Sequence, residues 1–218
     1  MNEQPRAPAL RVRGLTVRRG GRDVLVDVDA VLPSGLTVLT GGNGSGKSTL
    51  LAAICGILPS VRGEIVIAGA DLVRDPVAAK RNLGLLPERA DVFTALCPRA
   101  WLGFVAGIRG VAVEPSLAET TALLGTDPGA LDRPMSTLSA GQRRKVAMVA
   151  AVCGEPELLL LDEPLNALDE PGIAAIEAIV TRWCASDRAV LCAMHRPGAW
   201  MDRAVARWHL DRGRLRPG

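Results

Sequence analysis

Residues 41–49 read Gly41-Gly42-Asn43-Gly44-Ser45-Gly46-Lys47-Ser48-Thr49, a glycine-rich run closed by a lysine and two hydroxyls. Glycines at this density let backbone N–H groups turn inward around a phosphate, and a helix starting at Lys47 offers its positive end to the same anion. In the pattern G-x-x-x-x-G-K-[ST] the lysine neutralises β- and γ-phosphate charge and the Ser48 hydroxyl is a ligand for Mg²⁺. A second group lies far along the chain, where the apolar run Leu158-Leu159-Leu160-Leu161 ends in two carboxylates, Asp162 and Glu163. Beside a phosphate loop, Asp162 is placed to reach the Mg²⁺ shell and Glu163 to accept a proton from an attacking water. A third, Ser139-Ala140-Gly141-Gln142, has the Ser and Gln of a capping box and opens a helix carrying Val146, Val149 and Val152. With Gly in its first turn, that helix end is also a second anion site.

The intervening sequence must bring these groups together. Alternating apolar residues predict strands over Leu10–Val17 and Val24–Val31, joined by a Gly20-Gly21 hairpin turn. Leu36–Thr40 is a short strand feeding the glycine loop, and Lys47–Ile57 is the helix behind it. Further strands fall at Glu64–Ala68, Leu83–Leu86, Leu158–Leu161, Ala189–Met194, Ala204–Leu210 and Arg214–Leu215. Helical spacing covers Ala95–Ile108, Pro115–Leu124, Ala140–Val152 and Pro171–Ser186. Strand–helix alternation on either side of a helical middle third predicts an α/β fold with a mainly parallel sheet.

Composition narrows the setting. The 218 residues are 48% hydrophobic and 22% charged, the profile of a globular protein with ample core. Net charge is +3 and the basic residues are scattered, which gives no footprint for nucleic acid. Lysine occurs only at Lys47, Lys80 and Lys145. The five cysteines show no C-x-x-C spacing and read as small core residues of a reduced compartment. The charge-free stretch Ser48–Val61 contains Gly and Pro and falls short of the ~18 residues a spanning helix needs. Residues 1–9 carry Glu3, two prolines and no apolar run, so no export signal is expected.

Taken in order, the phosphate loop Gly41–Thr49, Leu138–Gln142, Leu161-Asp162-Glu163-Pro164, Ala167-Leu168-Asp169 and the isolated His195 resemble the ATPase subunits of ABC transporters. The likeness covers nearly the whole chain. It implies a P-loop NTPase core, an N-terminal antiparallel β-subdomain and an inserted α-helical subdomain in one domain. Residues 1–88 and 156–218 would then form the β-subdomain and core, and 89–155 the helical subdomain. It also implies that Leu138–Gln142, through Ser139, Gly141 and Gln142, contacts the γ-phosphate of ATP held by a second ATPase subunit, in a homodimer or related heterodimer. Asp169 resembles the residue linking the two active sites, and His195 the one that senses γ-phosphate. Of the two histidines, His209 is expected to pack locally.

Two positions depart from the family pattern. Where Gln is usual after the strand Leu83–Leu86, this chain has Leu86-Pro87-Glu88, as in a subset of small bacterial exporters. Glu88 is open to two readings, a Mg²⁺ ligand or a solvated loop acid. At the adenine the family usually places an aromatic, yet the chain has no Tyr and no aromatic before Phe93, and Arg19 falls at that position. Its guanidinium either stacks on the base or is a surface hairpin cation.

The resemblance thus implies an ATP- and Mg²⁺-dependent ATPase that powers export through a separate transmembrane permease subunit. The chain would sit peripherally on the cytoplasmic face of the plasma membrane. Residues around Ala90–Gly110, with Phe93, Trp101 and Phe104, either dock that permease or fill the helical subdomain's own core. Rival readings are the haem-exporter ATPase of cytochrome c maturation, which the small size and the Leu138–Gln142 variant resemble, and a soluble ABC ATPase not coupled to transport.

Overall fold

The computed structural model of the chain describes residues 7–89, 94–125 and 128–218. In chain order the elements are β1 (Leu10–Arg19), β2 (Arg22–Leu32), β3 (Gly35–Thr40), α1 (Lys47–Ile54), β4 (Arg62–Ile67), β5 (Ala70–Asp71), α2 (Pro76–Arg81) and β6 (Leu83–Leu86). There follow α3 (Pro98–Arg109), α4 (Glu114–Leu124), two 3₁₀ turns, α5 (Ala140–Val152), β7 (Leu158–Asp162), α6 (Glu170–Ala185), β8 (Ala189–Ala193), α7 (Trp200–Arg203), β9 (Ala206–Asp211) and β10 (Arg214–Pro217).

Two sheets carry the molecule. One is four-stranded and antiparallel, in the order β2-β1-β4-β5. The other has six strands in the order β10-β9-β3-β8-β7-β6, parallel except for the terminal β9–β10 pair. The leucine run explains why β7 is central. Because side chains alternate across a strand, Leu158 and Leu160 enter the core shared with α1 and the antiparallel sheet. Leu159 and Leu161 enter the opposite core, packed by Met148 of α5 and Ile176 and Val180 of α6. All four are fully buried, as a strand covered on both faces requires. A third, smaller cluster joins Leu102 of α3 to Met135, Leu138, Val146 and Val149.

Several boundaries differ from the sequence expectation. The helix expected from Ala95 begins at Pro98, because the residue before a proline is driven out of the helical region, and Cys97 is extended at φ −82°, ψ 158°. The preceding residues pair elsewhere instead: Met135 N–H donates to Leu96 O and Ser136 N–H to Thr94 O, at 2.8 and 2.9 Å. The helix expected to reach Ile57 stops at Ile54, since the Ile57 N–H turns back onto Ala52 O at 2.9 Å. Helix α2 was not expected. Its start is marked by Asp75, whose carboxylate accepts from Ala78 N–H at 3.1 Å, and by Pro76 in the first turn. The short β5 and α7 also lay outside the expected set. Phe93, offered above as part of a docking surface, lies outside the described residues.

Candidate nucleotide site

The parallel sheet assembles the site at the carboxyl ends of its strands, where ligands of open α/β sheets sit. Register brings the motifs level. Ala193 of β8 pairs with both Leu39 of β3 and Asp162 of β7, and Leu86 of β6 pairs with Leu161. The glycine loop leaves β3, Glu163 leaves β7, His195 follows β8 and Glu88 follows β6, all at this edge. Arg19, Val24, residues 42–49, Glu88, Asp162, Glu163 and His195 line a single cleft of about 460 Å³.

The loop's sequence is dictated by close approach. Gly41 has φ +153°, and a Cβ there would lie 2.4 Å from Leu210 O and 2.7 Å from Ser45 Oγ. Lys47 is only 7% exposed, and its ammonium donates to Gly41 O at 2.7 Å and Gly42 O at 3.3 Å. These two carbonyls hold the Lys47 ammonium at the phosphate loop, where a phosphate oxygen can join them as an acceptor.

On the facing wall, burial and the neighbouring Glu88 and Glu163 carboxylates push the Asp162 pKa above its ordinary range. A Ser48 hydroxyl hydrogen bond and the Lys47 charge pull the other way. Burial is the largest cause. Such a set of acids gains from a cation among them. Glu163 sits at φ +48°, a conformation that most residues avoid and that clusters at functional sites. Its N–H donates to Ala193 O at 2.9 Å. Its Oε1 is buried without a hydrogen-bond partner, as is Ser45 Oγ in the phosphate loop. Buried oxygens of that kind and the Ser48–Asp162 pair suit Mg²⁺ and phosphate, which favour hard oxygen and donor partners. Among the described residues no three His, Cys, Asp or Glu side chains cluster tightly enough to hold a metal by themselves. Mg²⁺ completes its shell with water and phosphate oxygens and needs only one or two carboxylates.

Other expected site residues stand apart. Ser139, Gly141, Gln142 and Asp169 do not line the cleft. Ser139 and Gln142 close the capping box reciprocally, Ser139 N–H to Gln142 Oε1 at 2.9 Å and Gln142 N–H to Ser139 Oγ at 3.1 Å. Asp169 is exposed, caps α6 through Gly172 N–H at 3.0 Å, and lies 3.6 Å from Lys145 Nζ. A Cβ on Gly141 would fall 2.7 Å from Ala167 O, so the start of α5 packs directly on the segment leading to Asp169. His209 makes a local contact, 3.0 Å from the Thr40 hydroxyl.

Sequence reasoning missed two residues here. Val24 lines the cleft beside Arg19. Arg144 is 3% exposed and binds the loops that carry Glu88 and Glu163. A signal for it existed: Arg144 falls on the stripe of Ala147, Met148, Ala151 and Val152, which faces the core at helical spacing.

A strand–phosphate-loop–helix unit on a parallel sheet, with an acidic pair ending the neighbouring strand, defines a P-loop nucleoside triphosphatase. Residues 27–166 match the ABC transporter domain, and the chain belongs to the family of ABC transporter ATP-binding subunits. Over 213 residues it is 32% identical to the cytochrome c biogenesis ATP-binding export protein CcmA of Pseudomonas syringae pv. syringae strain B728a, covering 94% of this chain and 98% of that protein. It is also 40% identical over 167 residues to the zinc import ATP-binding protein ZnuC of Alkalilimnicola ehrlichii, over 75% of this chain and 58% of that one. A solved structure described as the ATP-binding subunit of an ABC transporter superposes with a TM-score of 0.87 at 27% identity, covering 96% of this chain and 89% of the other.

Proposed function

We propose that the chain is the ATP-hydrolysing subunit of an exporter and works as a pair of ATPase subunits beneath a transmembrane permease. One observation carries this reading: Lys47, Ser48, Asp162, Glu163 and His195 converge on one cleft, whereas Ser139, Gly141, Gln142 and Asp169 lie outside it. A site split in this way is completed by a second subunit presenting its Ser139–Gln142 helix end to the bound nucleotide.

In the cleft, Lys47 and the N–H groups of residues 42–49 bind the β- and γ-phosphates. Ser48 and Asp162, with Glu88 beside them, would hold Mg²⁺, which neutralises phosphate charge when bound. The Glu163 carboxylate takes a proton from water as the water oxygen bonds to the γ-phosphorus. The β–γ bridging bond then breaks, leaving ADP and phosphate. His195, exposed at the cleft's mouth, reports γ-phosphate by hydrogen bonding. Arg19 and Val24 form the base side, with the guanidinium stacked on adenine.

The partner surface has support of its own. Helix α3 exposes Phe104 and Ile108, 58% and 60% accessible, one turn apart. Beside them a groove of about 320 Å³ is lined by Ile57, Leu85, Pro87, Trp101 and Val105. Exposed large apolar side chains beside such a groove suit an amphipathic segment of a permease. Among the described residues no helix is long and apolar enough to cross a membrane.

Export is favoured by the near end-to-end match to a cytochrome c biogenesis export protein. The same match favours the haem-exporter reading as the particular case. It predicts that cells whose only copy is Glu163→Gln lose haem-stained c-type cytochromes while making the apoproteins. Normal cytochrome levels in those cells would exclude the haem reading and leave another export substrate.

A further inference from the structure

Helix α5 begins with the Ser139–Gln142 cap and, within its second turn, buries Arg144. Four hydrogen bonds from this guanidinium end on backbone carbonyls. Nε donates to Pro164 O at 2.8 Å, Nη1 to Glu88 O at 2.7 Å, and Nη2 to Asp162 O at 2.8 Å and to Glu163 O. Burial pulls the Arg144 pKa below the usual arginine range, and the nearby Asp162, Glu163 and Glu88 carboxylates oppose that pull. A desolvated cation of this kind survives because its planar fork meets carbonyls in fixed directions, which an ammonium cannot copy.

Three of those carbonyls belong to Glu88, Asp162 and Glu163, which line the cleft. Glu163 is held at a positive φ, its N–H tied to Ala193 O on β8 and its C=O to Arg144 on α5. The same guanidinium grips Glu88, which leaves β6. One side chain therefore joins the helix that begins at Ser139 to both acidic loops of its own subunit's cleft.

We propose that Arg144 is a positioning residue for hydrolysis: from α5 it fixes the peptide planes of Glu88, Asp162 and Glu163, and so aims the Glu163 carboxylate at the reacting water. The inference rests on Glu163 as the proton acceptor. Its consequence is that a displacement of α5, when a second subunit engages the Ser139 end, is felt at Glu163 without passing through bound nucleotide. A misplacement of about 1 Å at a reacting group lowers a rate on the order of 10²-fold.

The test is a double-mutant cycle in the full-length chain. Arg144→Met and Arg144→Lys are measured alone and with Glu163→Gln, by single-turnover hydrolysis of γ-labelled ATP, steady-state kcat and KM, ATP and ADP affinity, and Tm. Arg144→Met is expected to lower kcat about 10²-fold with KM and nucleotide affinities within about threefold of the parent, and Arg144→Lys to restore part of the loss. In the Glu163→Gln background the same Met substitution should change the residual rate less than threefold, because the group it aims is gone. An equal 10²-fold loss in both backgrounds, an unchanged kcat in Arg144→Met, or a parallel collapse of kcat and nucleotide affinity would each overturn the proposal. If Arg144→Met lacks a cooperative melt, Arg144→Lys is carried through the cycle under the same criterion. Parental turnover by Glu163→Gln alone would instead refute the assignment of the base on which the inference stands.

Discussion

Removing the ammonium at position 47 tests the phosphate loop most simply. Lys47→Ala deletes a cation that is 7% exposed and donates to Gly41 O and Gly42 O. Gly42 lines the cleft and Gly41 is only partly buried, so water can take the place of the ammonium and the expected stability loss is small, about 1 kcal/mol. Nucleotide binding is affected far more. A charge-assisted hydrogen bond contributes about 1.5–3 kcal/mol, and contacts to both the β- and γ-phosphates bring the loss to about 3–6 kcal/mol. That converts to a weakening of ATP affinity by on the order of 10²–10⁴-fold. Calorimetric titration with ATP, ADP and AMP in Mg²⁺ reads the effect, and the order matters as much as the size. ATP and ADP should weaken strongly, and AMP, which lacks both phosphates, within about twofold. An ATP affinity within threefold of the parent, or an equal loss for AMP, would refute the placement of Lys47 on the terminal phosphates.

Three further outcomes follow from particular residues. Arg19 and Val24 line the cleft; on the proposal that they form the base side in place of an aromatic ring, ATP and GTP should compete within about tenfold, since a missing base–aromatic stack is worth about 1–3 kcal/mol; strong ATP preference surviving Arg19→Ala in competition titrations would contradict this. Ser139→Arg removes one half of a closed capping box, at a cost of about 0.5–2 kcal/mol in thermal denaturation; ATP should still bind the single subunit, but ATP-dependent dimers and turnover should be lost. Burial lifts the Cys55 thiol to about 12 and raises Cys192 well above its ordinary value. At pH 8 a thiol of pKa near 12 is about 10⁻⁴ thiolate, so both should resist Ellman's reagent in the native chain and react on unfolding, whereas the half-buried Cys97 should react first.

The parts of this molecule that were legible in its sequence are those where one local rule decides the outcome. The glycines of 41–46 have no other good use at that density, and four consecutive leucines before two acids can only be a strand buried on both faces. What was missed depends on tertiary partners. Helix α2 is six residues long, too short for periodicity to register, and only its Asp75-Pro76 start betrayed it. Arg144 stands out only once the stripe it shares with Met148 is known to face the core and four carbonyls are found at its donors. Gly141 reads as a phosphate-binding glycine, yet the Ala167 carbonyl alone, 2.7 Å from where a Cβ would be, already forbids a side chain. The start at Ala95 failed because helical spacing outweighed the proline at 98.

The central claim is that Glu163 accepts the proton in a site completed by a second subunit, and Glu163→Gln measures both halves at once. The amide keeps shape and hydrogen bonding but has no proton affinity, so turnover should fall on the order of 10²–10⁴-fold while ATP still binds. Light scattering on a sizing column should then find the variant dimeric with ATP and Mg²⁺ and monomeric with ADP. A Glu163→Gln chain that turns over ATP at the parental rate, or stays monomeric with saturating ATP, would contradict the account.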